Sequence, residues 1–227
     1  MVLIFAGTVF RPILITDNKN ESVPTSAITL EKPTVILDAG HGGVDSGAVS
    51  VSGAEEKNLN LEVTKKIGSF LESAGIQVIY TRSNDEMLTS DREVSRKTKD
   101  LLGRIEIAKS NPKATFISIH MNTLPLERYS GLQVFYSDKN TANHPLAQEI
   151  QNTVISLLQP QNSRKAKDSD GKIYILDRIS QPAVLIECGF LSNREEDQLL
   201  QNEGYQSRLA FAISRPILDF VLPTEEK

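Results

Sequence analysis

Two histidines of this 227-residue chain each stand at the end of an apolar run, where an imidazole can ligate a metal or move a proton. His41 follows Val35, Ile36 and Leu37 in Thr34-Val-Ile-Leu-Asp-Ala-Gly-His-Gly-Gly43, and His120 ends Ala114-Thr-Phe-Ile-Ser-Ile-His120. Two carboxylates are placed in a comparable way: Glu56 opens a helical pattern just after the glycine-rich stretch, and Glu187 ends Pro182-Ala-Val-Leu-Ile-Glu187. If the strands are parallel, these ends meet at one sheet edge. Two imidazoles and one carboxylate, His41, His120 and Glu56, form a ligand set for a catalytic zinc with a fourth position open to water. Such an ion lowers the pKa of bound water towards ~7 and polarises a carbonyl, which prepares amide hydrolysis. Glu187 would be the free carboxylate that takes the water proton and passes it to the leaving nitrogen.

Each residue also has a plainer role open to it. His41 could sit in a tight turn, His120 could be a structural histidine, Glu56 could be a helix-start charge favoured by the macrodipole, and Glu187 a salt-bridge partner. His144, in Asn-His-Pro at a helix start, reads as a capping or surface residue. Arg82 and Arg104 could hold an anionic substrate or be solvated. Cys188 lies beside Glu187, but no histidine is placed to serve it as a nucleophile, so it reads as a small core residue.

The elements that would position these groups follow from period and punctuation. Val35 to Leu37 is a strand whose glycines, Gly40, Gly42 and Gly43, permit unusual backbone angles and close approach. Val44 to Glu55 has no period and reads as irregular surface. Leu59, Val63, Ile67, Phe70 and Leu71 recur at helical spacing from Glu56, with Gly75 as the carboxy-terminal cap and Ile76 to Thr81 as a strand. Strand, helix, strand is the right-handed parallel crossover of α/β proteins. Arg82 to Asn111 reads as one or two helices, with Ser90 and Glu93 spaced like a capping box and Leu101, Leu102, Ile105 and Ala108 as the apolar face. A strand to His120, a loop from Met121 to Ser130, a strand from Gly131 to Tyr136 and a helix from Asn143 to Gln159 come next. Asn162 to Lys172 reads as a mobile loop, Ile173 to Leu176 and Pro182 to Glu187 as strands. Asn193 to Leu222 reads as helical, with Leu209, Phe211, Ile213, Ile217 and Phe220 facing a core.

Composition narrows the class. With 39% hydrophobic residues, the chain can bury a core as one α/β domain without disulfides. A net charge of −4 and no basic run interleaved with aromatics exclude a nucleic-acid footprint, so no nucleic-acid partner is expected. The single cysteine excludes an intramolecular disulfide and a thiolate cluster. Met1 to Ile15 is almost wholly apolar but broken by Arg11 and Pro12, and reads as the tail of an export signal or a membrane anchor rather than a spanning helix. The expected division is an amino-terminal segment and linker over 1–32, a catalytic domain over 33–222 and a tail over 223–227, in an exported protein of the cell envelope.

Four ordered motifs carry a family resemblance: Leu37-Asp-Ala-Gly-His-Gly-Gly43, Glu56-Lys57-Asn58, Ser118-Ile-His-Met-Asn122 and Ile186-Glu-Cys-Gly-Phe-Leu-Ser-Asn193. Together they resemble those of the zinc-dependent N-acetylmuramoyl-L-alanine amidases. The resemblance implies Zn²⁺ on His41, Glu56 and His120, Glu187 as the catalytic carboxylate, and a six-stranded, mostly parallel sheet with helices on both faces. It further implies cleavage of the amide between the lactyl group of muramic acid and L-alanine in peptidoglycan. Arg82 and Arg104 stand where the family commonly carries arginines, and with Asn122 they are the expected substrate contacts. Glu56 rather than Glu55 is the expected ligand, because Lys57-Asn58 follows it.

Within that family the chain is most similar to the short germination-specific amidases of spore formers. This implies work on spore cortex, preparing it for muramic lactam, and leaves room for an activating protein partner. The family's division enzymes carry a long insertion whose helix blocks the zinc. Tyr136 to Ile173 holds one clear helix here, so self-blockage by that device is not expected. Two competing readings are a catalytically silent peptidoglycan-binding module on the same fold and a zinc exopeptidase.

Overall fold

The computed structural model describes residues 32–88 and 96–222. Its sheet has six strands in the order β2-β1-β3-β6-β4-β5. These are β1 (Thr34–Ala39), β2 (Gln77–Tyr80), β3 (Thr115–Asn122), β4 (Gln133–Tyr136), β5 (Lys167–Asp168) and β6 (Ala183–Phe190). β2, β1, β3 and β6 are mutually parallel, whereas β4 runs antiparallel to β6. The short apolar runs are what this arrangement needs, since a parallel sheet is buried on both faces. Val35, Leu37, Ile117, Ile119, Val184 and Ile186 pack into one core with α1 (Glu56–Ser73), α3 (Asn143–Leu157) and α5 (Glu203–Val221). The alternate residues Ile36, Phe116, Ala183 and Leu185 pack into a second core with Ile105 and Ala108 of α2 (Arg96–Ser110). Helices therefore cover both faces, as expected. No helix among the described residues is long and apolar enough to cross a membrane.

Five expectations are corrected. Ile173 to Leu176 is not a strand: Leu176–Arg178 is a 3-10 turn, and Ile175 and Leu176 are buried against the α2 face. The strand beside β4 is instead β5, within the segment expected to be a mobile loop. That segment is tied down, with Asn162 donating to the Leu132 carbonyl at 2.9 Å and Arg164 to the Ser130 carbonyl at 2.7 Å. Met121 and Asn122 belong to β3 rather than to a loop. The last helical stretch is divided into α4 (Arg194–Leu200) and α5, because the side chains of Asn193 and Asn202 each cap a new helix start. Finally, Phe211 and Phe220 on α5 and Leu102 on α2 are exposed rather than buried, while Leu209, Ile213 and Ile217 do face the core. The expected box of Ser90 and Glu93, and the segments 1–31 and 223–227, lie outside the described residues.

Candidate metal centre

β1 and β3 are hydrogen-bonded in register, and the amide of Gly40 continues the ladder by donating to the Ile119 carbonyl at 3.0 Å. The chain then leaves the sheet through His41, whose φ of 61° lies in the left-handed region that residues with a Cβ seldom occupy. Such a conformation persists where its surroundings over-determine it. Here Arg104 donates to the His41 carbonyl at 2.7 Å, and Arg82 donates to the carbonyls of Ala39 at 2.9 Å and Gly40 at 3.0 Å. Glycine is required at position 40 by close approach, as a Cβ there would stand 2.2 Å from the His120 ring. The same holds at Gly47, where a Cβ would stand 2.5 Å from a Glu56 carboxylate oxygen.

These constraints bring His41, Glu56 and His120 together, with one ligand atom from each lying within 4.8 Å of the others. Glu56 Oε1 is 3.3 Å from His41 Nε2 and 3.1 Å from His120 Nδ1, and it also accepts the Met121 amide at 3.1 Å. Asn60, one turn along α1, donates to Oε1 at 3.2 Å, and Ala48 N donates to Oε2 at 2.8 Å. Burial opposes ionisation of Glu56, yet hydrogen bonds and charge from His120 and His41 hold its carboxyl far below the usual range. Burial likewise disfavours the His41 cation, and Glu56 with Asp45 outweighs it and raises that pKa. Glu55 points elsewhere, half-exposed and paired with Lys57 at 3.4 Å. Glu56 is thus the carboxylate in the cluster.

The donor set fits a metal ion. Two imidazole nitrogens and a carboxylate oxygen lie close enough to share one ion, a set that suits zinc with a position left open. His41 Nδ1 is engaged by Asp45 at 2.9 Å, leaving Nε2 to face the cluster. A carboxylate behind a ligating histidine fixes its tautomer and orientation. Glu187 is the direct register partner of His120 across the β3–β6 ladder. Its Oε2 is buried with no hydrogen-bond partner among the described residues, the condition of a group awaiting a water or a substrate proton. Burial, opposed by His120 and reinforced by Glu56, pushes its carboxyl up to about 7. A recess of about 200 Å³ opens beside the cluster, lined in part by Asp38, His41, Asp45, Arg104 and His120.

The expected substrate contacts differ in their reach: Arg104 lines the recess beside the cluster, and Arg82 does not. Arg82 and Arg104 are 2% and 3% exposed, and their guanidinium groups are turned on the protein itself. Arg82 also donates to the Lys57 carbonyl at 2.8 Å, and Arg104 pairs with Asp38 and with Asp100 at 2.8 Å. They are positioning residues for the loop that carries His41. Asn122 stands half-buried at the end of β3, its carbonyl accepting the Leu191 amide at 2.8 Å. His144 is exposed at the start of α3 and stacks on Tyr136, and Cys188 is fully buried, its thiol pushed up by that burial. Sequence reasoning passed over Asp45 and Asp38. Asp38, fully buried in β1, accepts from Thr81 at 2.7 Å and Ser118 at 2.6 Å besides Arg104. An acid inside an apolar strand, facing a serine in the next strand, was the available signal.

Two outcomes follow from these supports. Asp45→Ala should weaken zinc binding by about 10- to 100-fold while leaving the fold intact, as measured by competition with a chelator. Unaltered affinity would show that Asp45 does not orient His41. Arg104→Met leaves a buried Asp38 carboxylate uncompensated and should destabilise the domain by about 3–5 kcal/mol in denaturant titration. Arg104, Ser118 and Thr81 overcome the burial of Asp38 and depress its folded pKa, so its contribution is present above the ordinary value of 3.8 and is lost as the pH falls below it. The variant should lose that acid dependence.

Comparison with known proteins agrees with the geometry. A family model described as N-acetylmuramoyl-L-alanine amidase matches residues 35–219. The germination-specific N-acetylmuramoyl-L-alanine amidase of Bacillus subtilis is 35% identical over 206 residues, covering 89% of this chain and 86% of that protein. The CwlD amidase of Clostridioides difficile, solved in complex with the GerS lipoprotein, superposes with a TM-score of 0.78 at 36% identity, covering 83% of this chain and 98% of that one. The amidase AmiC2 of Nostoc punctiforme gives 0.73 at 32% identity over 84% and 97%.

Proposed function

This chain belongs to the N-acetylmuramoyl-L-alanine amidase family and is a peptidoglycan amidase; from that premise we propose that it works through a zinc ion held by His41, Glu56 and His120, with Glu187 as the proton carrier. The observation that carries the reading is the convergence of those three ligand atoms within 4.8 Å, with Glu187 in register beside His120. Bound there, zinc would polarise the lactyl carbonyl and acidify the attacking water. The protein's own groups do the rest. Asp45 holds the His41 ring, Asn60 and the Ala48 amide hold the Glu56 carboxylate, and Arg82 with Arg104 fix the loop that joins them to the sheet. Glu187, with an unpartnered oxygen, accepts a proton from the water and returns it to the departing nitrogen of L-alanine.

The place of action is read from relatives. Their names, cell wall amidase and germination-specific amidase among them, support action on the cell wall, and the reading extends this to an exported enzyme of the cell envelope acting on spore cortex ahead of muramic lactam formation. Residues 1–32 would then serve as export signal or anchor, 33–222 as the catalytic domain and 223–227 as a tail. The solved complex of the C. difficile amidase with a lipoprotein supports an activating protein partner for this chain as well. Access needs no processing in this reading. The helix between β4 and β5 is α3, and Leu146, Ala147, Ile150 and Val154 on it are buried in the core with α5, so it is a structural element rather than a plug.

Mass spectrometry of purified peptidoglycan incubated with zinc-loaded protein tests the proposal. Peptides that begin at L-alanine should be released from an intact glycan without prior proteolysis of the enzyme. Binding of peptidoglycan without release would make the chain a silent module. Trimming of a glycan-free peptide would make it an exopeptidase, and activity only after proteolysis would contradict the open site.

A further inference from the structure

Two arginines, Arg128 and Arg164, line one polar cavity at the sheet edge that carries the metal cluster. The loop after β3 contributes Arg128, Tyr129 and Ser130, and the segment after α3 contributes Asn162, Ser163 and Arg164, around a space of about 340 Å³. Because β4 runs antiparallel to β6, Ser130 enters β4 at the edge where β1, β3 and β6 deliver their site residues. Phe190 ties the cavity to that edge. It is fully buried, three residues beyond Glu187 on β6, with the Arg164 guanidinium 4.5 Å above its ring and the Tyr129 ring 6.2 Å away. At ~3.3 Å per residue of strand, Phe190 lies roughly 10 Å along the chain from Glu187.

Both guanidinium groups are held by neutral partners. Arg164 Nε donates to the Ser130 carbonyl at 2.7 Å, and its Nη1 donates to Gln133 Oε1 at 3.2 Å. Arg128 lies over the Tyr129 ring at 5.4 Å. Among the described residues neither forms an ion pair. The adjacent acid Glu127 is drawn to Arg194 at 3.4 Å instead, and Glu196, behind the cavity, accepts the amides of Gly131 and Phe190 at 2.9 and 2.8 Å. The buried Glu196 acts on Arg164 through its charge but spends its hydrogen bonds on backbone amides, so two guanidinium groups line this cavity against one carboxylate, and the excess positive charge suits an external anion. The planar fork of arginine suits a carboxylate in particular.

We propose that the Arg128–Arg164 cavity is a subsite for a free carboxylate of the stem peptide, on the departing side of the scissile amide. The inference rests on the amidase reading above. While its lactyl groups remain amide-linked to peptide, the glycan offers this cavity no charge to recognise. An extended peptide advances ~3.3–3.6 Å per residue, so a carboxylate two or three residues beyond the cleaved nitrogen reaches ~7–11 Å, comparable to the distance along β6 from Glu187 to Phe190, the buried ring on which Arg164 rests. The subsite would therefore read the peptide whose amine leaves.

Two muramoyl-peptides, alike except that one bears free carboxylates on the stem and the other carboxamides, provide the test. The wild-type enzyme should favour the carboxylate substrate in kcat/KM by on the order of ten- to a hundredfold, the effect of losing a charge-assisted hydrogen bond. In Arg128→Gln and Arg164→Gln that ratio should fall towards one, mainly through KM, while Arg164→Lys should retain part of it. Among the described residues Arg128 makes no hydrogen bond, so its variant should fold normally, and zinc content should match the wild type. An active wild-type enzyme that treats the two substrates alike, or variants that lose both equally, would overturn the subsite. If the wild-type enzyme cuts neither substrate, the amidase reading fails separately, and calorimetry with the glycan-free stem peptide decides the subsite. Tenfold weaker binding in Arg128→Gln supports it, and equal binding overturns it.

Discussion

Alanine at His41 or at His120 is expected to give a folded protein that neither retains zinc at stoichiometric levels nor releases detectable peptide from peptidoglycan. Each substitution leaves two ligands, and a site built from three seldom keeps its ion when one imidazole is removed. The fold should survive because neither ring belongs to the apolar cores, which are assembled from β1, β3, β6 and the covering helices. The two histidines are not equivalent in their support. His41 is backed by Asp45 at 2.9 Å and sits on a left-handed backbone held by Arg104, whereas His120 projects from β3, paired on both sides, over Gly40. His41→Ala should therefore also loosen the loop around it, seen as faster hydrogen exchange at Gly42 and Asp45, while His120→Ala should not. Elemental analysis of zinc together with a thermal melt checks both variants. Near-stoichiometric zinc in either would remove that histidine from the ligand set, and an unfolded protein would place it in the structure instead. Glu55→Ala serves as the contrast, since Glu55 faces Lys57 and solvent and should leave zinc content as it was.

The strands that deliver the site were legible because a buried parallel sheet demands short apolar runs, and Val35 to Leu37, Phe116 to Ile119 and Val184 to Ile186 are such runs. The site residues stood out because a histidine or glutamate interrupts each apolar run, although β3 and β6 continue past His120 and Glu187 to Asn122 and Phe190. The residues behind the ligands did not, because their partners are distant in sequence or depend on an unusual backbone. Asp45 meets His41 only through the left-handed turn at His41, and Arg104 reaches the His41 carbonyl from 63 residues away. A charge in the sequence does not show whether it turns outward to substrate or inward to carbonyl groups, as Arg82 and Arg104 do. Short apolar runs are ambiguous by period alone. Ile173 to Leu176 plugs the α2 face through Ile175 and Leu176 without joining the sheet, whereas the polar pair Lys167 and Asp168 forms β5 because β4 offers it a free edge.

Glu187→Gln is expected to separate proton transfer from metal binding. The substitution keeps the shape of the side chain and removes the ability to accept a proton, so zinc content and stability should stay at wild-type levels. Turnover should fall by at least roughly a hundredfold, since general acid and base catalysis is typically worth ~10² to 10⁴ in rate. The division of labour makes the loss large. An amine leaves poorly unless protonated, so the same carboxyl has to take a proton during attack and give it back during collapse. A group suited to both has a pKa near the working pH, and burial pushes Glu187 up to about 7. Its unpartnered Oε2 has no internal hydrogen bond to break before it acts. In the wild type this should appear as a dependence of kcat/KM on one group that must be ionised, an acid limb on the low-pH side that Glu187→Gln abolishes along with most of the rate. Zinc loss in Glu187→Gln would make the residue a ligand. Near-full activity would move the proton carrier elsewhere, with Glu55 the next carboxylate to replace, although its pairing with Lys57 turns it from the cluster.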